Sequence, residues 1–382
     1  MSESGTLQQI YELLGEDGLR KARWQEKMRI VAMITQILWT AVFALVMIPT
    51  GWAAALRDAL GGNTTFGALL VVLVIMLLNS IFMLPHAWFF GYRAEQILGT
   101  NRQALGSWLL DYFKQGLISL VIFGLFFWGV YLVFRAWPTS WLPALVAVVA
   151  LLALAIYLAQ PLMIRAQAKV EPLEDDELNE RFARLFKKAG FPYGGVGIIQ
   201  AGEKTSKGNA MLSPKGGKLE VLIFDTLLEE VDPEGIEFVV AHELGHRAHK
   251  DWPAILALFG LLFVVGIALG HAVLVWAAGC CGLTGPGDVA TLPLLELVLN
   301  TWLLIAQVIT NTFTRSREYA ADRYALEMTG NLPAFERAFV VLAKQNLSDP
   351  EPPEWVEFWL HNHPSIARRL EAARKVVEKR AK

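Results

Sequence analysis

Six stretches of this 382-residue chain are each about as long and as apolar as a helix must be to cross a hydrocarbon core, roughly 20 residues. They run 29 to 50, 67 to 90, 115 to 135, 142 to 164, 253 to 277 and 291 to 313. The composition agrees, with 54% hydrophobic and 18% charged residues and the apolar ones gathered in blocks. Few polar residues interrupt them: Asn79, His86, Gln160, His271, Glu296 and Asn300. Those in the second half read as facing the bundle interior or a cavity, and Glu296 also reads as snorkelling from a helix end.

Charge narrows the class further. The net charge of -2 and the lack of basic runs with interleaved aromatics give no support for nucleic-acid binding. Residues 1 to 28 carry acidic and basic side chains without an apolar core or cleavage site, so no cleaved signal peptide is expected. The adjacent pair Cys280 and Cys281 matches no zinc spacing and builds no disulfide framework. Lys and Arg concentrate in the N-terminal segment, in 165 to 252 and after Arg315, and are absent from 278 to 290. This alternation puts both termini and both large polar segments in the cytoplasm.

The chain divides accordingly. Residues 1 to 165 hold four spans; 166 to 252 and 314 to 382 read as two halves of one soluble domain; 253 to 313 form a transmembrane hairpin between them. In the first half, Asp175 or Asp176 caps an amphipathic helix with Leu178, Phe182, Leu185 and Phe186 on one face, ending at Gly190. Short extended pieces at 196 to 200, 209 to 212 and 219 to 224 predict a small sheet with an exposed edge. Asp232 and Pro233 then start another helix.

That helix carries the sequence His242-Glu243-Leu244-Gly245-His246. Histidines at i and i+4 share a helix face and can reach one metal. Zinc accepts neutral imidazole and, in catalytic sites, takes three protein ligands and keeps one position open. Glu243 beside that position can deprotonate water and later protonate a leaving amine. With seven histidines and 36 acidic residues, a His-acid-x-x-His pattern arises by chance in roughly one shuffled chain in a hundred. A third ligand must come from elsewhere, because Trp252 stands where the longer zinc motif has its third histidine. Glu318 is the candidate, with Asp322 one turn on to accept a histidine N–H; the alternative is a solvated acidic face among Arg315, Arg317 and Arg323. In the tail, His363 could donate to an oxyanion, fill an open metal position, or be an ordinary loop histidine. Asn209 could hydrogen-bond a substrate strand laid along the sheet edge.

Together these residues resemble the membrane-embedded M48 peptidases, the CAAX prenyl protease type more than the shorter HtpX type. The resemblance rests on Phe90-Gly91, Gly99-Thr100-Asn101, Gln160-Pro-Leu-Met, Pro172-Leu-Glu-Asp-Asp-Glu-Leu, Gly190-Phe-Pro, Asn209-Ala210, Leu222 to Leu228, the histidine motif, Glu318 with Asp322, and His363-Pro364 with Arg369. It implies a mainly α, polytopic helical membrane protein of six spans, seven at most, with a gluzincin-type zinc peptidase domain carrying a small β-sheet. It implies one Zn2+ per chain on His242, His246 and Glu318, with Glu243 as base. It also implies a substrate-binding edge at Asn209 and Ala210, with His363 and Arg369 by the site and the spans surrounding a water-filled chamber. This chain shows four spans before the histidine motif where the eukaryotic CAAX type has five. The expected activity is zinc-dependent endopeptidase cleavage of polypeptide or membrane-protein substrates, lipidated or not. Two alternatives are an HtpX-like quality-control protease and a non-catalytic metal-stabilised membrane scaffold. The sequence says nothing of oligomeric state.

Overall fold

A computed structural model describes residues 3–167 and 169–381. Four long helices come first: α1 (Glu3–Met47), α3 (Thr65–Trp88), α5 (Leu105–Ala136) and α6 (Trp141–Gln167), with the short α2 (Trp52–Ala59) between the first two. A π-helical turn, Phe89–Arg93, carries α3 into α4 (Ala94–Leu98). Two more long helices, α10 (Asp251–Trp276) and α11 (Leu292–Thr329), follow the histidine motif. Among the described residues, six helices are therefore long and apolar enough to cross a membrane. Leu38, Leu117, Leu158 and Leu162 point outward and are more than half exposed, as suits a surface surrounded by lipid. Glu296 does not snorkel: it is buried in the bundle, where Asn79 Nδ2 donates to its Oε2 at 2.9 Å.

At one end of the bundle, Arg57 Nη1 donates to Asp288 Oδ2 at 2.6 Å, and Arg135 bridges the Gly287 and Gly62 carbonyls at 2.7 Å each. These bonds tie α2 and the loop after it to the end of α5 and the loop after α10. The polar elements lie at the opposite end. Strands β1 (Val170–Pro172), β2 (Tyr193–Ile199), β3 (Ala210–Lys215) and β4 (Lys218–Phe224) form one sheet in the order β1-β2-β4-β3. Only the β2–β4 pair is parallel, and β3 is an edge strand. Asp175 caps α7 (Asp176–Ala189), Gly190 closes it in the left-handed conformation, and Leu178, Phe182, Leu185 and Phe186 turn inward. After α8 (Asp225–Glu230), Asp232 accepts the Gly235 N–H at 2.7 Å and Pro233 opens α9 (Pro233–Ala248). Helices α12 (Leu332–Gln345), α13 (Glu354–Leu360) and α14 (Ile366–Ala381) complete this end.

Two features tie the polar end to the bundle. Helix α11 runs unbroken from the apolar stretch past residue 313 to Thr329, so one rod carries both a span and Glu318. Helix α1 also reaches from the bundle to the polar end, broken once at Gly15 (φ 60°): ahead of that kink Ile10 and Leu14, four apart on one face, join the core of Phe182, Phe238, Phe335 and Leu370. Between α9 and α11 the backbones nearly touch. A Cβ on Gly245 would stand 2.9 Å from Ala321 Cα and 3.2 Å from its carbonyl oxygen, so only glycine permits this approach. Gly245→Ala is expected to destabilise the fold by about 1–3 kcal/mol, read as a lowered thermal midpoint in detergent. Gly106→Ala, where an added Cβ meets nothing within 4 Å, should leave that midpoint nearly unchanged.

Candidate metal centre

The α9–α11 contact sets His242 and His246 against Glu318. The two Nε2 atoms are 3.1 Å apart, and they lie 3.4 Å and 3.3 Å from the Glu318 carboxylate oxygens. Each imidazole is turned by a carboxylate on its far side. His242 Nδ1 bonds Asp322 Oδ1 at 2.9 Å, and His246 Nδ1 bonds Asp251 Oδ2 at 2.9 Å. A carboxylate accepts from an N–H, so both Nδ1 atoms carry hydrogen and both Nε2 lone pairs face the shared centre. Each of these carboxylates meets an arginine in turn. Arg369 donates to both Asp322 oxygens at 2.8 and 2.6 Å, and Arg317 Nε sits 2.9 Å from Asp251 Oδ1.

The arrangement fits a metal. Donors held about 2.0–2.1 Å from zinc at tetrahedral angles stand roughly 3.3 Å apart, and His242, His246 and Glu318 are spaced that way already. Two imidazole nitrogens and one carboxylate oxygen are also a donor set of catalytic zinc, with room left for a fourth group. Burial disfavours the charged form of His242, but the Asp322 and Glu318 carboxylates outweigh it and push the metal-free imidazole up to about 10, so a metal at Nε2 would displace a proton there. Enclosure by the site, partly offset by the two histidines, raises Glu243 above the usual carboxylate range.

A cleft of about 450 Å³ opens onto this centre, lined by Glu243, His363, Asn209 and Ala210 among others. His363 is half exposed, with Nδ1 2.8 Å from Glu318 Oε2. Arg369 is buried; it reaches Glu318 at 3.3 Å and stacks over Phe339 at 4.5 Å from the ring centroid. Asn209 stands just ahead of β3, its carbonyl accepting the Phe224 N–H at 2.9 Å. Of the residues expected from the sequence, Asn209, Ala210, His242, Glu243, Glu318, His363 and Arg369 line this cleft, and His246 and Asp322 lie behind it against His242. His249 lies apart, against Tyr324. Sequence reasoning missed Asp251 and Arg317. Lys250 takes a left-handed conformation, φ 56°, between α9 and α10, and this turn folds Asp251 back under His246. An acid five residues past the motif was the available signal.

The description "Peptidase family M48" matches residues 172–377, and "CAAX prenyl protease N-terminal, five membrane helices" matches residues 8–165. The chain belongs to peptidase family M48. Within these matches the chain has four long membrane helices before the histidine motif. This M48 peptidase is 30% identical to an uncharacterized metalloprotease YhfN of Bacillus subtilis over 313 residues, 80% of this chain and 72% of that one. It is 25% identical to CAAX prenyl protease 1 of Saccharomyces cerevisiae over 327 residues, 79% and 71% of the two chains. The crystal structure of S. mikatae Ste24p shares its fold, with a TM-score of 0.76 over 97% of this chain and 95% of that one at 22% identity. The protein is a multi-pass membrane metallopeptidase.

Asp251 should matter to this M48 peptidase as much as a residue that touches the metal. Asp251→Asn is expected to weaken zinc binding about 10- to 100-fold in a chelator competition, because His246 loses its charged acceptor.

Proposed function

We propose that the protein is a zinc-dependent endopeptidase that cuts polypeptides at the membrane surface, with one zinc held by His242, His246 and Glu318. The observation that carries this reading is the convergence of those three donors beside Glu243 in a cleft that begins at an open strand edge. A site built only to stabilise the fold would close its fourth position and have no use for a carboxylate there.

A bound zinc supplies Lewis-acid chemistry, polarising a carbonyl oxygen and easing deprotonation of water. The chain's own residues do the rest. A substrate strand lies along the free edge at Asn209 and Ala210, extending the sheet past β3. Asn209 Oδ1 already accepts the Ala210 N–H at 2.9 Å, which leaves its Nδ2 to bind the substrate. Glu243 takes the proton of the attacking water on its carboxylate and passes it to the departing amine nitrogen. With Nδ1 on Glu318, His363 turns Nε2 to the cleft, and as an imidazolium, the form in which both ring nitrogens carry hydrogen, it donates from Nε2 to the oxyanion. Asp322 and Arg369 hold His242 in the required tautomer.

The match of residues 8–165 to the CAAX prenyl protease N-terminal region favours a lipidated C-terminal peptide as substrate over the broad quality-control reading. The basic N-terminal segment and basic polar halves support a site on the cytoplasmic side. A panel of matched prenylated and unprenylated peptides tests the substrate class, the prenylated ones being cut faster. For the mechanism, Glu243→Gln should keep one zinc per chain and lose at least about a thousandfold in kcat. A variant that keeps near wild-type activity would remove Glu243 from its role.

A further inference from the structure

Helix α1 forms a wall of the cleft before it enters the bundle: Gln25, Glu26 and Arg29 all line it. The preceding turns fasten that wall to the peptidase end. Tyr11 Oη donates to Glu351 at 2.6 Å, Arg23 pairs with Asp349 at 3.4 Å, and Ile10 and Leu14 are packed in the core. Most charged groups around the cleft already have partners. Glu26 meets His361 at 3.0 Å, Lys207 meets Glu95 at 2.8 Å, and Arg369 meets Asp322 and Glu318.

Two groups on the α1 wall have no partner among the described residues. Gln25 is only 8% exposed, yet its Oε1 has no hydrogen-bond partner. Arg29 is exposed, with no ion pair or hydrogen bond. A buried amide oxygen without a partner is costly unless a ligand brings a donor to it. A cation facing the cleft calls for an anion. Positions 25 and 29 lie on one helix face a turn apart, about 6 Å along the axis. An extended chain covers that distance in about two residues.

We propose that Gln25 and Arg29 form a substrate subsite, Gln25 accepting a main-chain N–H of an extended peptide and Arg29 binding a carboxylate about two residues along. The subsite rests on the peptidase reading above and names what the same cleft selects. The carboxylate is either the peptide's own C-terminus or an acidic side chain.

The test uses the full-length, zinc-loaded protein in zwitterionic vesicles and four peptides sharing one cleavable sequence. One has a free C-terminus, one is amidated, and two amidated ones carry Asp or Lys at the position where the first one ends. Wild type should favour a carboxylate-bearing peptide over the plain amide by about tenfold in KM, and whichever it favours identifies the carboxylate's source. Arg29→Ala should erase that ratio and Arg29→Glu should shift preference to the Lys peptide. Gln25→Ala should raise KM for all four with kcat retained. Equal ratios in wild type and Arg29→Ala would overturn the subsite alone. So would a defect in Arg29→Ala that tracks anionic lipid content instead of peptide charge, which would assign Arg29 to lipid headgroups. If zinc-loaded wild type cuts none of the peptides, the peptidase reading falls and the subsite with it.

Discussion

The close approach of α9 and α11 at Gly245 and Ala321 is the contact on which the site depends. Glu318 and Asp322 flank Ala321 on α11, and His242 and His246 flank Gly245 on α9, so one crossing point sets all four side chains at once. A Cβ at that crossing would push the helices apart and spread the 3.1–3.4 Å separations among the three donors. Since α11 is also a membrane-crossing helix, the site's height is set as well. Glu318 lies five residues beyond the apolar stretch, which at 1.5 Å per residue is about 8 Å above its end. Glu318 is therefore held at a fixed distance from the apolar stretch by one continuous helix.

Around that crossing the same three-part unit occurs twice: His242, Asp322 and Arg369, then His246, Asp251 and Arg317. Buried carboxylates are tolerated when charge and hydrogen bonds compensate them, and each aspartate here has an imidazole on one side and a guanidinium on the other. Burial disfavours the charged form of Asp322, but Arg369 outweighs it and holds that carboxyl below the usual range; in both units the aspartate accepts from Nδ1–H, which leaves the Nε2 lone pair for the centre. The two units differ in origin. One is assembled from α9, α11 and α14, distant in sequence, whereas in the other the histidine and aspartate are neighbours across a single turn.

That difference explains what could be read from the sequence. Caps, amphipathic faces and the i, i+4 histidine pair are local features, so α7, α9 and the three strand pieces were legible from residue type and spacing. The structure adds the residues 193 to 195 and 213 to 215 that extend those strands, positions that a glycine-rich stretch obscures. Glu318 was found because zinc chemistry demands a third donor, which is a constraint from chemistry more than from pattern. Asp251 was not, because the left-handed turn at Lys250 carries no glycine to announce it. The first 28 residues read as a charged lead-in, although Ile10 and Leu14 already stood four apart; two apolar residues among many charges are too weak a stripe to reveal that α1 docks on another part of the chain. Glu296 was ambiguous for a related reason, since only the tertiary partner Asn79 distinguishes burial from snorkelling.

The docking of α1 bears on why a peptidase of this design is built into a bundle. The segment matching family M48, residues 172–377, contains the three candidate metal donors, Glu243 and the edge strand. It lacks Gln25, Glu26 and Arg29, which close the cleft from the other side. It also lacks the partner of His361, two residues from His363, and the two apolar side chains that α1 contributes to the core. A fragment without α1 would keep the metal donors while exposing apolar core surface and opening one side of the cleft. Because the helix that closes the cleft is the helix that next crosses the bundle, one wall of the cleft continues into the membrane-spanning region.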